Sequence, residues 1–385
     1  MSKQEALRRL RAKIAQISPD EARKLAADGA VLIDVREREE TLSGAAPGAR
    51  MLPLGSVESR AEEALVDKTQ PVIAYCAEGV RSLSAAESLE KLGYKRVYSM
   101  SGGFVAWRNA SLPVEMPADS ALDAVELRRY ARHLVIPEVG EEGQVRLKNA
   151  SVLFVGAGGL GSPAAIYLAC AGVGTIGLVD SDVVDESNLQ RQILHNPSRV
   201  GVAKVESARR TIEELNPLVS VKTFDERLTS ENVDRIFERF DVIVDGADNF
   251  PTRYLINDAC IKHGKPNVHG SVFRFEGQAS VFVRGEGPCY RCLYPEPPPP
   301  EMAPSCAEAG VLGVLPGIIG LIQGVEVIKI ILGKGELLTG RLLIYDALAA
   351  TFRELKVSRR TDCAWCGDGV EFPGYVDYQG FCGVP

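Results

Sequence analysis

The sequence lacks an excess of positive charge. Its 385 residues carry 44 Lys and Arg against 51 Asp and Glu, a net charge of −7, which argues against nucleic acid or an anionic membrane as the main partner. A small anionic ligand could still be held locally. A clean apolar run is also missing. The most apolar stretch, 311–332, is interrupted by Pro316, several glycines, Gln323, Glu326 and Lys329, so it falls short of the roughly 20 apolar residues that a membrane span needs. The opening segment, MSKQEALRRLRAK, is charged and helical in pattern and has no apolar core of the kind found in a secretory leader. A cytoplasmic protein without a transmembrane segment is therefore expected. No internal repeat of fixed period is found, and a composition of 45% hydrophobic and 25% charged residues excludes wholesale disorder.

What is present begins with length and cysteine. At about 150 residues per domain the chain is long enough for two or three domains. Nine cysteines in a reducing compartment point to metal binding or thiol chemistry rather than to a disulfide framework.

The first part of the chain alternates strand and helix. Ser18-Pro-Asp-Glu21 combines an N-cap, a proline at the first helical position and a capping-box glutamate, which starts a helix running to about Asp28. Strands are predicted at 31–35 and 71–75, and a helix at 82–92 stops at Gly93. This is a small parallel α/β domain, placed at 14–113. Residues 114–124, with two prolines beginning just before and within them and no apolar period, read as a linker. From 151 the pattern is strand (151–155), helix (161–171) and strand (175–180), with later strands near Val219 and at 241–245 and an amphipathic helix at 203–215. That is a Rossmann-like doubly wound sheet, placed with its metal-binding cysteines at 125–366, and 367–385 reads as a tail.

Cys76 follows a buried strand and precedes a helix, so the N–H groups of residues 77–82 can converge on its sulfur and favour the thiolate. From position alone a nucleophilic thiol and a small buried hydrophobe are equally good readings. The motifs around it carry a resemblance: Ile33-Asp-Val-Arg-Glu37, Gly44-Ala-Ala-Pro-Gly-Ala49, the 76–82 loop and Gly102-Gly-Phe-Val-Ala-Trp107 together resemble the rhodanese sulfurtransferase family. The resemblance implies that Cys76 carries a persulfide. Arg81, five positions on, matches the short sulfur-binding loop rather than the phosphatase loop one residue longer. Ala45-Ala46 stands where the family often has a His-Ile pair, and Asp34 and Arg36 read as structural.

Gly156-Ala-Gly-Gly-Leu-Gly161 fits G-x-G-x-x-G directly after an apolar strand and at a helix start. Glycines at Gly156, Gly158 and Gly159 let backbone approach phosphates, and the helix N-terminus adds unpaired donors and a partial positive charge. Asp180, ending the next strand, is placed for ribose hydroxyls. Alone, these residues suggest a nicotinamide-dependent enzyme, here a persulfide reductase given Cys76. Arg191, Lys204, Asp245, Asp248 and Asn249 argue instead for a triphosphate with Mg²⁺, since attack at an α-phosphate needs charge neutralisation that hydride transfer does not.

Cys289-Tyr-Arg-Cys292 and Cys363-Ala-Trp-Cys366 are two C-x-x-C pairs, which together have the spacing of a four-thiolate Zn²⁺ site with no open position. A redox dithiol would require only one such pair, in a thioredoxin-like unit.

The stretch 127–366 resembles the MoeB/ThiF branch of the ubiquitin-activating enzyme superfamily, through Arg129-Tyr-Ala-Arg132, the glycine loop, Ser187-Asn-Leu-Gln-Arg191, Lys204-Val-Glu-Ser-Ala, Asp248-Asn249 and the cysteine pairs. The resemblance implies an adenylyltransferase that uses ATP and Mg²⁺ to activate the C-terminal glycine carboxylate of a ubiquitin-like sulfur carrier with release of pyrophosphate. It places Gly159, Asp180, Ser187, Asn188, Leu189, Gln190, Arg191, Lys204 and Asn249 at ATP and Asp248 at the metal. Arg132 would reach the nucleotide of the other subunit of a homodimer. Cys306 resembles the crossover-loop cysteine that some relatives use in covalent transfer and others do without. With the rhodanese domain, sulfur taken from a cysteine desulfurase or thiosulfate would pass through Cys76 to give a carrier thiocarboxylate for molybdopterin, thiamin or related synthesis. The better-known fusions of these families place the rhodanese domain second, and here it comes first.

Overall fold

The computed structural model describes residues 2–118, 120–298 and 310–383, and the chain divides into two compact units, Met1–Gln144 and Val145–Pro385.

The first unit is built on five parallel strands, β1 (Ala15–Ile17), β2 (Val31–Asp34), β3 (Arg50–Met51), β4 (Val72–Tyr75) and β5 (Val97–Met100), in the order β1-β5-β4-β2-β3. The central strands β2 and β4 are buried at every residue, which is why they read as continuous apolar runs rather than as alternating ones. Helix Pro19–Ala27 begins with both halves of the Ser18–Glu21 capping box in place, and helix Arg81–Lys91 ends before Gly93, whose φ of +94° is left-handed. One core lies between the sheet and the helices carrying Val57, Ala61, Leu83 and Leu89; the other lies on the opposite face, around Tyr75, Phe104 and Trp107. Asp34 and Arg36 are buried and joined at 2.6 Å. Beyond the last helix of this fold, Glu115 bridges to Ala45, and its carboxylate accepts from Gly48 N–H.

The second unit holds an eight-stranded sheet: β6 (Ser151–Val155), β7 (Thr175–Val179), β8 (Ser220–Phe224), β9 (Val242–Asp245), β10 (Asn267–Phe273), β11 (Glu276–Phe282), β12 (Arg341–Asp346) and β13 (Thr351–Lys356). Their order is β13-β12-β11-β10-β9-β6-β7-β8. The run β8-β7-β6-β9-β10 is parallel, as the doubly wound reading expects, whereas β10 to β13 are antiparallel. That antiparallel extension was not anticipated from the sequence.

Helix Val314–Leu332 is, among the described residues, the one helix long and apolar enough to cross a membrane. Pro316 does not interrupt it, because it lies in the first turn, where a backbone N–H has no partner inside the helix. The helix lies against β10, β11 and helix Gly161–Ala171. Three glycines allow this approach: a Cβ on Gly270 would stand 2.5 Å from the Gln323 side chain, one on Gly277 2.4 Å from Ile319, and one on Gly320 2.4 Å from the Leu160 carbonyl. Its polar residues are used internally. Gln323 donates to the Asp245 and Val268 carbonyls, both at 2.8 Å, and Glu326 accepts from Leu338 N–H at 2.9 Å. The chain after Cys366 turns back onto the core, where Tyr378 donates to Asp258 at 2.8 Å and Phe381 meets Tyr254 edge-on.

Candidate functional site

At the carboxyl edge of β6, β7 and β9 the second unit opens into a cleft of about 320 Å³. Its floor is the loop between β6 and helix Gly161–Ala171. Gly156 has a φ of +100°, and a side chain there would run into the Gly246 carbonyl at 2.9 Å; a Cβ on Gly161 would strike the Gly156 carbonyl. The loop is fixed from beneath by His195, whose Nε2 lies 3.0 Å from the Ala157 carbonyl and whose Nδ1 lies 3.0 Å from Ser207 Oγ. Burial lowers the His195 pKa, so the ring is neutral; a carbonyl only accepts, so Nε2 donates and Nδ1 accepts from the serine.

Gly156, Gly158, Gly159, Asp180, Arg191, Lys204, Asp248 and Asn249 all line this cleft. Asp180 accepts from Ala157 N–H and Asp182 N–H at 2.9 Å each. Burial raises its pKa, against the opposing pull of Lys204. Lys204 is almost fully buried and its Nζ lies 2.7 Å from Asp182 Oδ2, an exposed carboxylate that a phosphate can replace. The donor set therefore suits a nucleotide polyphosphate, and Asp248 offers the cleft a carboxylate of the kind that could hold a hard cation. Ser187, Asn188, Leu189 and Gln190 do not line the cleft; they form the adjoining turn around Glu186–Asn188, and Ser187 anchors Arg191 through its carbonyl at 3.2 Å. Sequence reasoning passed over Gln192, Arg227, Thr252 and Arg253, which also face the cleft. Arg253 donates to the Ala247 carbonyl at 3.0 Å. The only signal for it is its place in the first turn of helix Phe250–His263, directly after Asp248-Asn249.

In the first unit Cys76 directly follows β4 and opens the loop to helix Arg81–Lys91, with 1% exposure. Its sulfur lies 3.1 Å from Gly79 N–H and 3.8 Å from Ser82 Oγ, which is itself 2.8 Å from Ser99 Oγ. Burial pushes the thiol up, but hydrogen bonds from Ser82 and from the backbone at Glu78 and Gly79 outweigh it and hold the pKa below its ordinary value. The Gly102-Gly103 pair explains the loop shape. Phe104 and Val105 N–H hold the carbonyls of Cys76 and Ala77 at 2.8 and 3.0 Å, which turns the loop N–H groups towards sulfur. A Cβ on Gly103 would stand 2.3 Å from the Cys76 carbonyl.

Cys289, Cys292, Cys363 and Cys366 are buried, with all four sulfurs within 4.8 Å of one another. The hydrogen-bonding separations are 3.9, 3.8 and 3.4 Å. Zn–S bonds of about 2.3 Å place tetrahedral ligands about 3.8 Å apart, so the cage fits Zn²⁺. Arg291, between the first two cysteines, stacks on Trp365 between the other two, 3.7 Å from the ring centre, and pairs with Asp258 at 2.8 Å. Arg132 is exposed on the short helix Ala131–Leu134 of the first unit. Cys306 lies outside the described residues.

A glycine loop under a cleft lined by both cations and carboxylates, at the carboxyl edge of a parallel sheet, defines a nucleotide-binding α/β protein. The ThiF family profile matches residues 130–365 and the rhodanese-like domain profile matches residues 18–110. The chain belongs to the ThiF family and carries a rhodanese-like domain. It is 52% identical over 280 residues to the probable adenylyltransferase/sulfurtransferase MoeZ of Mycobacterium tuberculosis, covering 72% of this chain and 70% of that one. With the sulfur carrier protein adenylyltransferase of Thermus thermophilus it shares 52% over 264 residues, covering 67% of this chain and 97% of that one. The crystal structure of E. coli MccB with MccA-N7isoASN shares its fold, with a TM-score of 0.55 at 23% identity over 62% of this chain and 75% of the other.

Proposed function

We propose that the protein is an ATP-dependent adenylyltransferase that activates the C-terminal carboxylate of a ubiquitin-like sulfur carrier and then transfers persulfide sulfur to it. The observation that carries this reading is the meeting of Arg191, Lys204 and Asp248 with the glycine loop in one cleft. A carrier carboxylate oxygen attacks the α-phosphorus, the bond to the β-phosphate oxygen breaks, and pyrophosphate leaves. Lys204 and Arg191 neutralise phosphate oxygens that gain charge in this step, and Asp180 orients the ribose. Asp248 would hold Mg²⁺, which when bound would supply further charge neutralisation. The terminal sulfur of a Cys76 persulfide then displaces AMP from the acyl-adenylate, leaving an acyl-disulfide that an external thiol resolves to the thiocarboxylate.

Zn²⁺ at the four cysteines supplies a structural clamp. Domain limits of 14–113 and 125–366, joined by 114–124, are supported by the profile matches at 18–110 and 130–365, although the compact units divide after Gln144. A homodimer in which Arg132 serves the partner's nucleotide is supported by an apolar face on two packed helices, where Tyr167, Leu321 and Val325 are exposed. Cys306 is a candidate for covalent transfer, and molybdopterin or thiamin synthesis is the setting.

The test is ATP–pyrophosphate exchange with candidate carriers, analysed for dependence on carrier. Exchange with none of them sinks the adenylation reading.

A further inference from the structure

The sulfur loop has a charge mask at its rim. Within residues 76–81 the only cation is Arg81, and Glu78 is exposed. Arg81 is already engaged: its Nη1 and Nη2 donate to the two carboxylate oxygens of Glu40 at 2.7 and 2.6 Å. Glu40 cannot easily swing away, because the same carboxylate caps its own short helix by accepting from Glu37 N–H at 3.1 Å, and its carbonyl accepts from the buried Arg36 at 3.1 Å. The Arg81 hydrogen bonds hold Glu40 below the usual carboxylate range, so the pair is ionised at neutral pH.

The consequence is electrostatic. Arg81 closes the loop whose Gly79 N–H faces the Cys76 sulfur, at the first position of the following helix, a place from which a cation would draw in a small anion. Paired side by side with Glu40 it offers no net charge, and an approaching thiosulfate dianion also meets the Cys76 thiolate. A cysteine persulfide brings at most one charge on the transferred group, and on a protein donor it can use apolar contact with Val80, 41% exposed on the loop crown.

Resting on the sulfur-transfer reading above, we propose that Glu40 is a specificity-determining residue that masks Arg81 and so selects cysteine persulfides over thiosulfate as the sulfur source for Cys76. In the favoured step the Cys76 thiolate attacks the outer sulfur of the donor, a new S–S bond to Cys76 forms, the donor S–S bond breaks, and the donor leaves as a thiol. No net oxidation occurs. In the disfavoured step the same attack on thiosulfate would release sulfite.

The test compares thiosulfate with free cysteine persulfide as donors to the full-length protein and to Glu40→Gln, Glu40→Ala and Glu40→Gln/Arg81→Gln variants. Glu40→Gln should lower the KM for thiosulfate about tenfold and change that for cysteine persulfide less than about twofold. The added Arg81→Gln change should cancel the gain, and salt should weaken thiosulfate use in Glu40→Gln more than in the parent. An unchanged thiosulfate KM in both single variants, or equal gains for both donors, overturns the proposal while leaving sulfur transfer intact. If intact-mass measurement finds no sulfur added to Cys76 from either donor in the parent protein, the sulfur-transfer reading falls and the proposal with it.

Discussion

His269 Nδ1 lies 2.7 Å from Asp245 Oδ2, and both side chains are 1% exposed. The other oxygen of Asp245 accepts from Ala247 N–H at 3.0 Å. The pair thus fixes the turn that presents Asp248 to the cleft. Replacing His269 with Phe leaves one oxygen of a buried carboxylate without a donor, and is expected to cost about 3 kcal/mol of stability. Denaturant unfolding of the two proteins measures it; a difference below about 1 kcal/mol would show that the turn is held by other means.

Lys204→Ala removes the buried ammonium from the cleft. Because phosphate charge grows during attack at the α-phosphorus, carrier-dependent pyrophosphate exchange should fall by about 10²- to 10³-fold. Cys76→Ala should leave that exchange unchanged. An unaltered rate in Lys204→Ala would remove the lysine from the chemistry.

The lowered pKa of Cys76 has a sign that can be measured. Its thiolate persists to lower pH than that of a free cysteine, so the rate of alkylation at Cys76 should begin to fall only below the pH at which an unperturbed thiol is already protonated. Ser82→Ala removes one of the hydrogen bonds that stabilise the anion and should move the alkylation midpoint upward. Mass mapping of the modified residue against pH reads both.

Asp234 gathers Lys262, His263 and Tyr375. Burial raises its carboxyl, but those three partners bring it down to about 2. A depressed carboxylate pKa stabilises the fold above the unfolded value near 4 and loses that contribution as pH falls towards 2. Because Asp234 is about a third exposed, the contribution is discounted to about 1–2 kcal/mol. Asp234→Asn should be less stable than the parent by that amount at pH 7, and the gap should close near pH 2. A gap that stays constant with pH contradicts the ionic account.

Zn²⁺ removal should unfold the region around the four cysteines first. Cys289→Ser should release metal to a chromogenic chelator and lower Tm, whereas Cys170→Ser, at an exposed position, should do neither. Metal content and melting curves of the two variants decide it.

Legibility followed local chemistry. The capping box at Ser18, the stop at Gly93 and the bounds of β6 and the following helix were readable because each depends on residues a few positions apart. The antiparallel half of the second sheet was hidden by its turns. The β10–β11 hairpin turns through Arg274 at φ +51° and the β12–β13 hairpin through Ala350 at φ +51°, so neither shows the glycine or asparagine that marks a tight reversal. In the cleft, residues of the motifs are legible and Arg253 is not, because a single arginine in the first turn of helix Phe250–His263 carries no pattern of its own. The C-terminal segment reads as a tail because the partners of Tyr378 and Phe381, Asp258 and Tyr254, lie on a helix more than a hundred residues earlier.

Among the described residues, strand β13 pairs with β12 alone, and all six of its residues are exposed. It therefore presents a free row of backbone donors and acceptors to solvent, the kind of border along which unrelated chains add strands to one another. Arg353, Glu354 and Lys356 interrupt the apolar Phe352 and Leu355 along that border, and Arg341 pairs with Glu354 at 3.1 Å. Charges of both signs on so short a strand penalise self-association in register, where like would face like in a parallel stack, while leaving the ladder open to a partner strand whose charges alternate in the opposite sense.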